Sequence, residues 1–196
     1  MSGFPSPFGG TDGDLFDEYD EFVTAHIPPV GEFLQGHDVL TGTEHTTFHR
    51  LTKELFEERT VYDMTFNYNL ARLNLDTRHE NAGYRYAEES DDPSVLRAEF
   101  TPTTPFSPQT HTLTIGSFRA WNGLCDRHEY DLVRVRAAPM HHQSETINER
   151  LAVLESEYEE TGTVPENPPG DDSTGSNPMG RANESGGTNR GPHAPF

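Results

Sequence analysis

The stretch from Phe100 to Asn148 constrains the fold more than any other part of the chain. It opens with FTPTTPFSP, continues into a helical run, and then reads YDLVRVRAAPMHHQSETIN. Two strand-to-helix turns therefore follow each other along the chain. Such turns expose the backbone N–H groups of a helix's first turn, and they often hold anions, metals or reactive side chains. We expect a functional site, if there is one, around Ser107 and His142.

Hydrophobic periodicity predicts several strands and three helices. Val133, Val135 and Ala137 alternate with Arg134 and Arg136, which predicts a strand with one buried face. The pattern predicts further strands near 66–70, 84–86 and 95–100, and helices over 46–59, 108–122 and 144–160. We expect an α+β fold, in which a small mixed sheet carries about three helices mainly on one face.

Helix ends are also predicted from individual residues. Thr46 or Thr47 can cap the first helix, because a threonine hydroxyl accepts a hydrogen bond from an otherwise unpaired N–H. Pro108 suits the first turn of the second helix, since proline's missing N–H is not needed there. Gly123 is placed to end that helix in a left-handed conformation.

Composition divides the chain into three parts. Residues 1–45 are acidic and turn-rich, residues 46–160 hold the periodic segments, and residues 161–196 are dominated by Gly, Pro, Asn and Ser. We predict a flexible acidic leader, one folded domain and a disordered tail. The aromatic residues of the leader leave a second interpretation open, in which it is an arm that docks on the domain or on a partner.

The charge balance excludes some classes of partner. The formal net charge is −19, and Lys53 is the only lysine among 14 basic residues. Such a surface repels phosphate backbones and anionic membranes, so neither nucleic acid nor membrane is an expected partner. The same balance is typical of a halophilic protein, because molar salt shortens the Debye length to about 3 Å. An ordinary acidic protein is the alternative.

Cysteine and hydropathy patterns bear on the compartment. Cys125 is the only cysteine, so no disulfide and no cysteine-only metal site can form within one chain. No apolar run approaches the ~20 residues of a membrane span, and the N-terminus lacks a signal-peptide pattern. We therefore expect a cytoplasmic protein.

Several motifs resemble those of the SufT/PaaD-like family of iron–sulfur assembly domains, over about residues 50–160. That family has a Thr-Pro-Thr-like strand end, a loop with a reactive Cys, a helix beginning near Leu-Ile-Gly, and a Pro-x-x-His-x-Ser-Glu segment opening the last helix. Upstream, TVYDMTFNYNL is similar to the family's acidic strand entrance. The matching positions here are Asp63, Met64, Tyr68, Thr101, Pro102, Thr103, Ile115, Gly116, Pro139, His142, Ser144, Glu145 and Asn148.

The resemblance implies a non-catalytic accessory or targeting factor that contacts iron–sulfur assembly or client proteins. Ser107 stands where the family has its reactive Cys, and a hydroxyl binds iron or zinc far more weakly than a thiolate. We therefore expect no enzymatic activity and no resident cofactor, while pairing of the domain with itself stays open. The implied partner- or ligand-binding residues are Asp63, Thr103, Ser107, His111, His142, Ser144, Glu145 and Asn148.

The run His141-His142-Gln-Ser-Glu145 permits two chemical interpretations. His142 and Glu145 are three residues apart on one helical face, so His141, His142 and Glu145 are candidate metal ligands. Alternatively, Ser144 or His142 caps the helix and Glu145 is stabilised by the helix dipole. A serine hydrolase is disfavoured because no Gly-x-Ser-x-Gly turn surrounds Ser107. The alternative function is a divergent metal- or small-ligand-binding protein on the same fold.

Overall fold

The computed structural model describes residues 26–74 and 79–165. Most of the predicted flexible leader and disordered tail lies outside the described residues. Within these residues there are three helices and six strands, in addition to short 3-10 turns. They are β1 (Asp38–Val39), α1 (Gly42–Glu58), β2 (Tyr62–Asp63), β3 (Tyr68–Asn69), β4 (Gly83–Glu88), β5 (Val95–Thr101), α2 (Thr110–Gly123), β6 (Leu132–Ala137) and α3 (Ser144–Thr161).

The strands form one four-stranded sheet and one small hairpin. The sheet order is β1-β4-β5-β6, and β2 pairs with β3 to form the separate hairpin. β4 is antiparallel to both of its neighbours, whereas β5 and β6 are parallel. A parallel pair needs a crossover, and α2 provides it. The predicted α+β class with a small mixed sheet is therefore confirmed.

One face of the sheet forms the core with α1 and α2. Tyr84 and Tyr86 of β4 are fully buried, as is Trp121 of α2. The Trp121 ring meets both tyrosine rings edge-on, at centroid distances of 4.9 and 6.1 Å. Its indole N–H donates to the Thr52 hydroxyl of α1 at 3.1 Å, which joins the two helices. The buried indole thus has its polar group satisfied.

The opposite face of the sheet carries arginines paired with glutamates. Arg97 of β5 and Arg134 of β6 both donate from Nε to Glu89 Oε1, at 2.9 and 3.0 Å. Glu155 of α3 accepts from Arg134 and from Arg136. The arginine positions in β6 are those predicted to face away from the core. Ion pairs of Glu155 therefore join α3 to β6, while Leu151 and Leu154 of α3 are buried in the hydrophobic core.

Residues 28–34, which we call the N-terminal strap, lie across this charged face. The Phe33 ring stacks on the Arg97 guanidinium at 4.7 Å, and its backbone oxygen accepts from Arg97 Nη1 at 3.0 Å. Gly31 lies against the buried Glu99 carboxylate, and that contact leaves no room for a side chain at Gly31. The strap and β1 are part of the fold, so the domain begins before the predicted boundary at residue 45.

Three element ends differ from the predictions. α1 begins at Gly42 with Thr41 as its N-cap, because a positive φ of 52° at Gly42 lets the chain turn in earlier than at Thr46. Gly123 does not end α2 in a left-handed conformation; it stays helical, and its carbonyl accepts from Arg59. The predicted strand over 66–70 shortens to β3, since Asn67 has a φ of 54° and a 3-10 helix starts at Leu70.

Two asparagine side chains satisfy the outer edge of β6. The Asn122 amide accepts from the Val133 N–H at 2.8 Å and donates to the Val133 carbonyl at 3.0 Å. Asn148 makes the same pair of bonds with Ala137, at 2.7 and 3.0 Å. An amide side chain thereby replaces the neighbouring strand that an edge lacks, which protects the edge from pairing with another chain.

Candidate functional site

The loops after β5 and after β6 are joined by three hydrogen bonds. The Pro105 carbonyl accepts from the backbone N–H of His142 at 3.0 Å and from its Nδ1 at 2.8 Å. The Ser107 carbonyl accepts from Nε2 of His141 at 2.9 Å. The two strand-to-helix turns thus meet at one end of the sheet, and they bring Ser107 close to the histidine pair.

The two histidines have different surroundings. His141 is 2 % exposed, and its Nδ1 accepts from the Gln143 N–H at 3.2 Å, so its Nε2 must carry the proton donated to Ser107. Both of its nitrogens are therefore used within the fold. His142 is exposed and donates from Nδ1, and within the described residues its Nε2 has no hydrogen-bond partner. His142 alone of the two can offer a lone pair to a ligand.

The β2–β3 hairpin is tied to the same end of the sheet by Gln109. The Asp63 carboxylate folds the hairpin by accepting from the N–H groups of Thr65 and Phe66, at 2.7 and 3.2 Å. Gln109 accepts from the Met64 N–H at 2.8 Å and donates to the Thr65 hydroxyl at 2.7 Å. Gln109 was not predicted as a site residue, because nothing in its sequence neighbourhood indicates a partner 45 residues away.

Three further predicted residues lie in or directly after the β5–α2 loop. Thr103, Ser107 and His111 are half-buried. α2 begins at Thr110 with Gln109 as its N-cap, so Pro108 lies outside the first helical turn, where it was predicted, and Ser107 lies two residues before the N-cap. The reason is local: the Ser107 carbonyl accepts from the Thr110 N–H and hydroxyl, which closes a turn before the helix starts.

The start of α3 also differs from the capping prediction. Gln143 is its N-cap and makes no side-chain capping bond, so neither Ser144 nor His142 has that role. The His141 imidazole instead accepts from the Gln143 N–H. Glu145 is exposed in the first turn, where the helix dipole favours a negative charge. Both polar groups of the Asn148 side chain are bound to β6.

Metal ligation at this junction has little support from the geometry. Of the candidate ligands His141, His142 and Glu145, His141 has no lone pair left for a metal. Across residues 26–74 and 79–165, no three His, Cys, Asp or Glu side chains are placed to hold a metal ion. The exposed Cys125 lies beyond the far end of α2.

Large apolar side chains are exposed on all three joined segments. Met64 of the hairpin is 75 % exposed, Phe106 of the β5–α2 loop 72 %, and Met140 of the β6–α3 loop 42 %. The Phe106 ring lies against the His142 ring, with a centroid distance of 5.2 Å. We call Met64, Phe106 and Met140 the apolar surface. Phe106 and Met140 were not predicted, because hydrophobic periodicity does not show which side chains of a loop are exposed.

Comparisons with known proteins give one family and no functional relative. No curated protein and no solved structure matches the chain. In the described part of the chain, no helix has the length and apolar character needed to cross a membrane. A family model described as a domain of unknown function, DUF7998, matches residues 14–165, which is most of the sequence. The chain therefore belongs to the DUF7998 family.

Proposed function

We propose that this protein is a non-catalytic accessory or targeting factor in cytoplasmic iron–sulfur cluster assembly, and that it acts by binding other proteins. The observation that carries the proposal is the apolar surface. Three of the five large hydrophobic side chains exposed in the described residues lie on segments that hydrogen bonds hold together. Exposed apolar side chains grouped in this way mark surfaces that bind partners.

The hydrogen bonds around the apolar surface favour binding. Pro105 is fixed to His142, and Gln109 is fixed to the hairpin that carries Met64. Loops that are already ordered lose less conformational entropy when a partner binds, so more of the contact energy is retained as affinity. Methionine also adapts its shape to a partner, because its side chain is unbranched and polarizable.

The link to iron–sulfur assembly rests on the resemblance of residues 50–160 to the SufT/PaaD-like domains. Of the residues that carry the resemblance, Asp63, Met64 and Tyr68 lie on the hairpin, and Pro102, Thr103, Pro139 and His142 lie on the two loops that present the apolar surface. The others lie at the end of β5, in α2 and in α3. With Ser107 at the position of the family's reactive Cys, cluster or sulfur transfer through this residue is disfavoured. Protein binding is the part of the family's role that these side chains support.

The test compares Phe106→Asp with the control Val153→Asp. Val153 is 45 % exposed on α3, so both variants place one added carboxylate at an exposed apolar position. Binding to purified iron–sulfur scaffold and client proteins is measured by calorimetry. Activity of a cluster-dependent dehydratase is then measured in a deletion strain that expresses each variant.

We expect Phe106→Asp to weaken the binding of one such partner about tenfold or more, as at an interface hot spot, and Val153→Asp to leave it unchanged. Dehydratase activity should fall on deletion and recover with the wild type and with Val153→Asp only. Full recovery with Phe106→Asp would contradict the role of the apolar surface. Unchanged dehydratase activity on deletion would contradict the link to iron–sulfur assembly.

The second candidate is a divergent metal- or small-ligand-binding protein on the same fold. It is favoured by a cavity of about 660 Å³, a volume typical of small-molecule sites. Metal analysis of the purified protein distinguishes a metal-binding protein from one that binds a small organic ligand. Zinc or iron bound in equimolar amount would favour a metal-binding protein over an accessory factor.

A further inference from the structure

The cavity of about 660 Å³ lies at the opposite edge of the sheet from β6, between β1, the first half of α1, and residues 128–130. Its inner wall is apolar, with Leu40 and Phe48 buried and Leu51 packed against the core. Phe48 meets the buried Tyr130 ring edge-on, at 5.5 Å between centroids. The cavity therefore has an aliphatic and aromatic wall that suits a hydrocarbon.

Four acidic residues line the cavity: Asp38, Glu44 and Glu129 are exposed, and Glu88 is half-buried. Asp38 and Glu88 are directly paired across β1 and β4, an arrangement that is unfavourable for like charges. Among the residues that the structure describes, no Lys or Arg lines the cavity. Both ring nitrogens of His128 bond within the fold, since Nδ1 accepts from the Tyr130 N–H and Nε2 donates to the Trp121 carbonyl.

These carboxylates lack the cationic partners that other acids of the sheet have. Glu89 pairs with Arg97 and Arg134, but the preceding residue Glu88 accepts only from the Tyr130 hydroxyl at 2.8 Å. In the described residues, no ion pair involves any of the four cavity acids. Burial raises the pKa of Tyr130, and the charges of Glu88, Glu129 and Glu44 raise it further. The negative charges of these three glutamates therefore act at the Tyr130 hydroxyl in the cavity wall.

The spacing of the carboxylates distinguishes between kinds of cation. Although four acids line one cavity, no three of them in the described structure come close enough together to chelate a single metal ion. Dispersed negative charges around an apolar wall fit a cation whose charges are also separated, with hydrocarbon between them. Charge-assisted hydrogen bonds to ammonium groups would then form at several points of the rim.

We propose that this cavity binds an aliphatic di- or polyamine. Its ammonium groups would pair with the carboxylates of Asp38, Glu44, Glu88 and Glu129, while its methylene groups pack against Leu40, Phe48 and Leu51. The site is distinct from the apolar surface of Met64, Phe106 and Met140. It does not depend on the proposed protein-binding function.

Calorimetric titration of the full chain with spermidine tests the proposal. The buffer is kept near physiological ionic strength, where a Debye length of about 8 Å screens diffuse attraction to the acidic surface. Glu88→Gln removes one cavity charge and still offers an acceptor to the Tyr130 hydroxyl. Glu145→Gln on α3 removes the same charge elsewhere, and Thr47→Trp fills the cavity without changing its charge.

We expect one spermidine per chain, bound about tenfold more weakly by Glu88→Gln, which corresponds to about 1.4 kcal/mol. Thr47→Trp should weaken binding at least as much, while Glu145→Gln and Phe106→Asp should bind as the wild type does. The Phe106 variant separates this site from the proposed function, because only the latter requires Phe106.

Four outcomes would overturn the proposal. The first is that the wild type does not bind spermidine, and the second is that Glu88→Gln and Glu145→Gln weaken its binding equally. The third is that Thr47→Trp binds spermidine as the wild type does. The fourth is that magnesium chloride displaces spermidine at equal cationic charge. The second and fourth would mean that spermidine is held only as a counterion of the acidic surface. Thermal unfolding of each variant shows whether a lost affinity reflects a lost fold.

Discussion

Two stacked histidines lie in the core between α1 and the sheet. His49 donates from Nε2 to the Ala71 carbonyl and accepts at Nδ1 from the Tyr86 hydroxyl, both at 2.6 Å. The His45 ring stacks on it at 5.7 Å between centroids. Desolvation by burial lowers the pKa of His45 to about 3 and that of His49 to about 4. Both rings are therefore neutral at physiological pH.

We predict that the protein loses stability in acid because of these histidines. In the unfolded chain a histidine binds a proton below its usual pKa of about 6.5, whereas folded His49 resists protonation down to about pH 4. Stability is thus complete above pH 6.5 and decreases as the pH falls from 6.5 towards 4. The shift of His49 alone corresponds to about 3 kcal/mol.

Urea unfolding at several pH values measures this loss. His49→Gln keeps an amide that can bond to Ala71 and Tyr86 but cannot titrate, so its free energy of unfolding should fall less steeply between pH 6.5 and 4. His142→Gln, at an exposed histidine, should keep the wild-type slope. Equal slopes for all three proteins would show that the buried ring does not couple folding to protons.

At the scale of single residues, the sequence predicts the site only in part. The two strand-to-helix turns predict one site around Ser107 and His142, and hydrogen bonds join the two loops that carry these residues. The roles of Gln109 and His141 depend on partners distant in sequence, so no local pattern indicates them. For the same reason, the sequence does not show that the cavity acids lack basic neighbours.

The edge of β6 is the element most dependent on side-chain hydrogen bonds. We predict that Asn122→Ala lowers the free energy of unfolding by about 2–6 kcal/mol, because an unsatisfied buried polar group costs about 1–3 kcal/mol and this change leaves two at Val133. Asn148→Ala should cost less, since Asn148 is only half-buried whereas Asn122 is 3 % exposed.

Hydrogen exchange at individual amides distinguishes this effect from general destabilisation. The Val133 N–H should exchange faster in Asn122→Ala under conditions where the amides of β4 remain protected. Gln143→Ala, at an exposed position with no side-chain bond to the sheet, is the control and should match the wild type. Unchanged protection of Val133 in Asn122→Ala would contradict the edge-capping role.

The sequence predicts helices and strands correctly where the hydrophobic residues follow a single helical or strand period. The alternation of Val and Arg predicts β6, and the helical spacing of Ile147, Leu151 and Leu154 predicts α3 to within one residue. The start of α1 and the β2–β3 hairpin were not predicted. Both depend on backbone conformations with positive φ, at Gly42 and at Asn67, which hydrophobic periodicity does not report.

The whole molecule carries more negative charge than its ion pairs neutralise. Residues 50–160 contain 20 acidic and 12 basic residues. Several of the arginines are already paired on the charged face of the sheet. We predict that the melting temperature falls when molar salt is reduced to millimolar salt, because the repulsion among the remaining acids is then unscreened.

Calorimetry in sodium chloride and in an osmolyte of equal osmolality measures this dependence. The osmolyte controls for effects of the solute on burial that do not involve charge. The melting temperature should rise with sodium chloride well beyond its rise with the osmolyte. A melting temperature that is equal at millimolar and molar salt would contradict a halophilic character.

The N-terminal strap has a consequence for how the chain acquires its structure during translation. Phe33 stacks on Arg97 and lies over Arg136 at 5.2 Å. Because both arginines follow it in the sequence, the strap is synthesised long before the strands it covers. At about 5–20 residues per second, roughly 5–20 s separate Phe33 from Arg136. The sheet's last strand must leave the ribosome before the strap can make all of these contacts. The nascent domain therefore completes its folding late, when nearly all of it has been made.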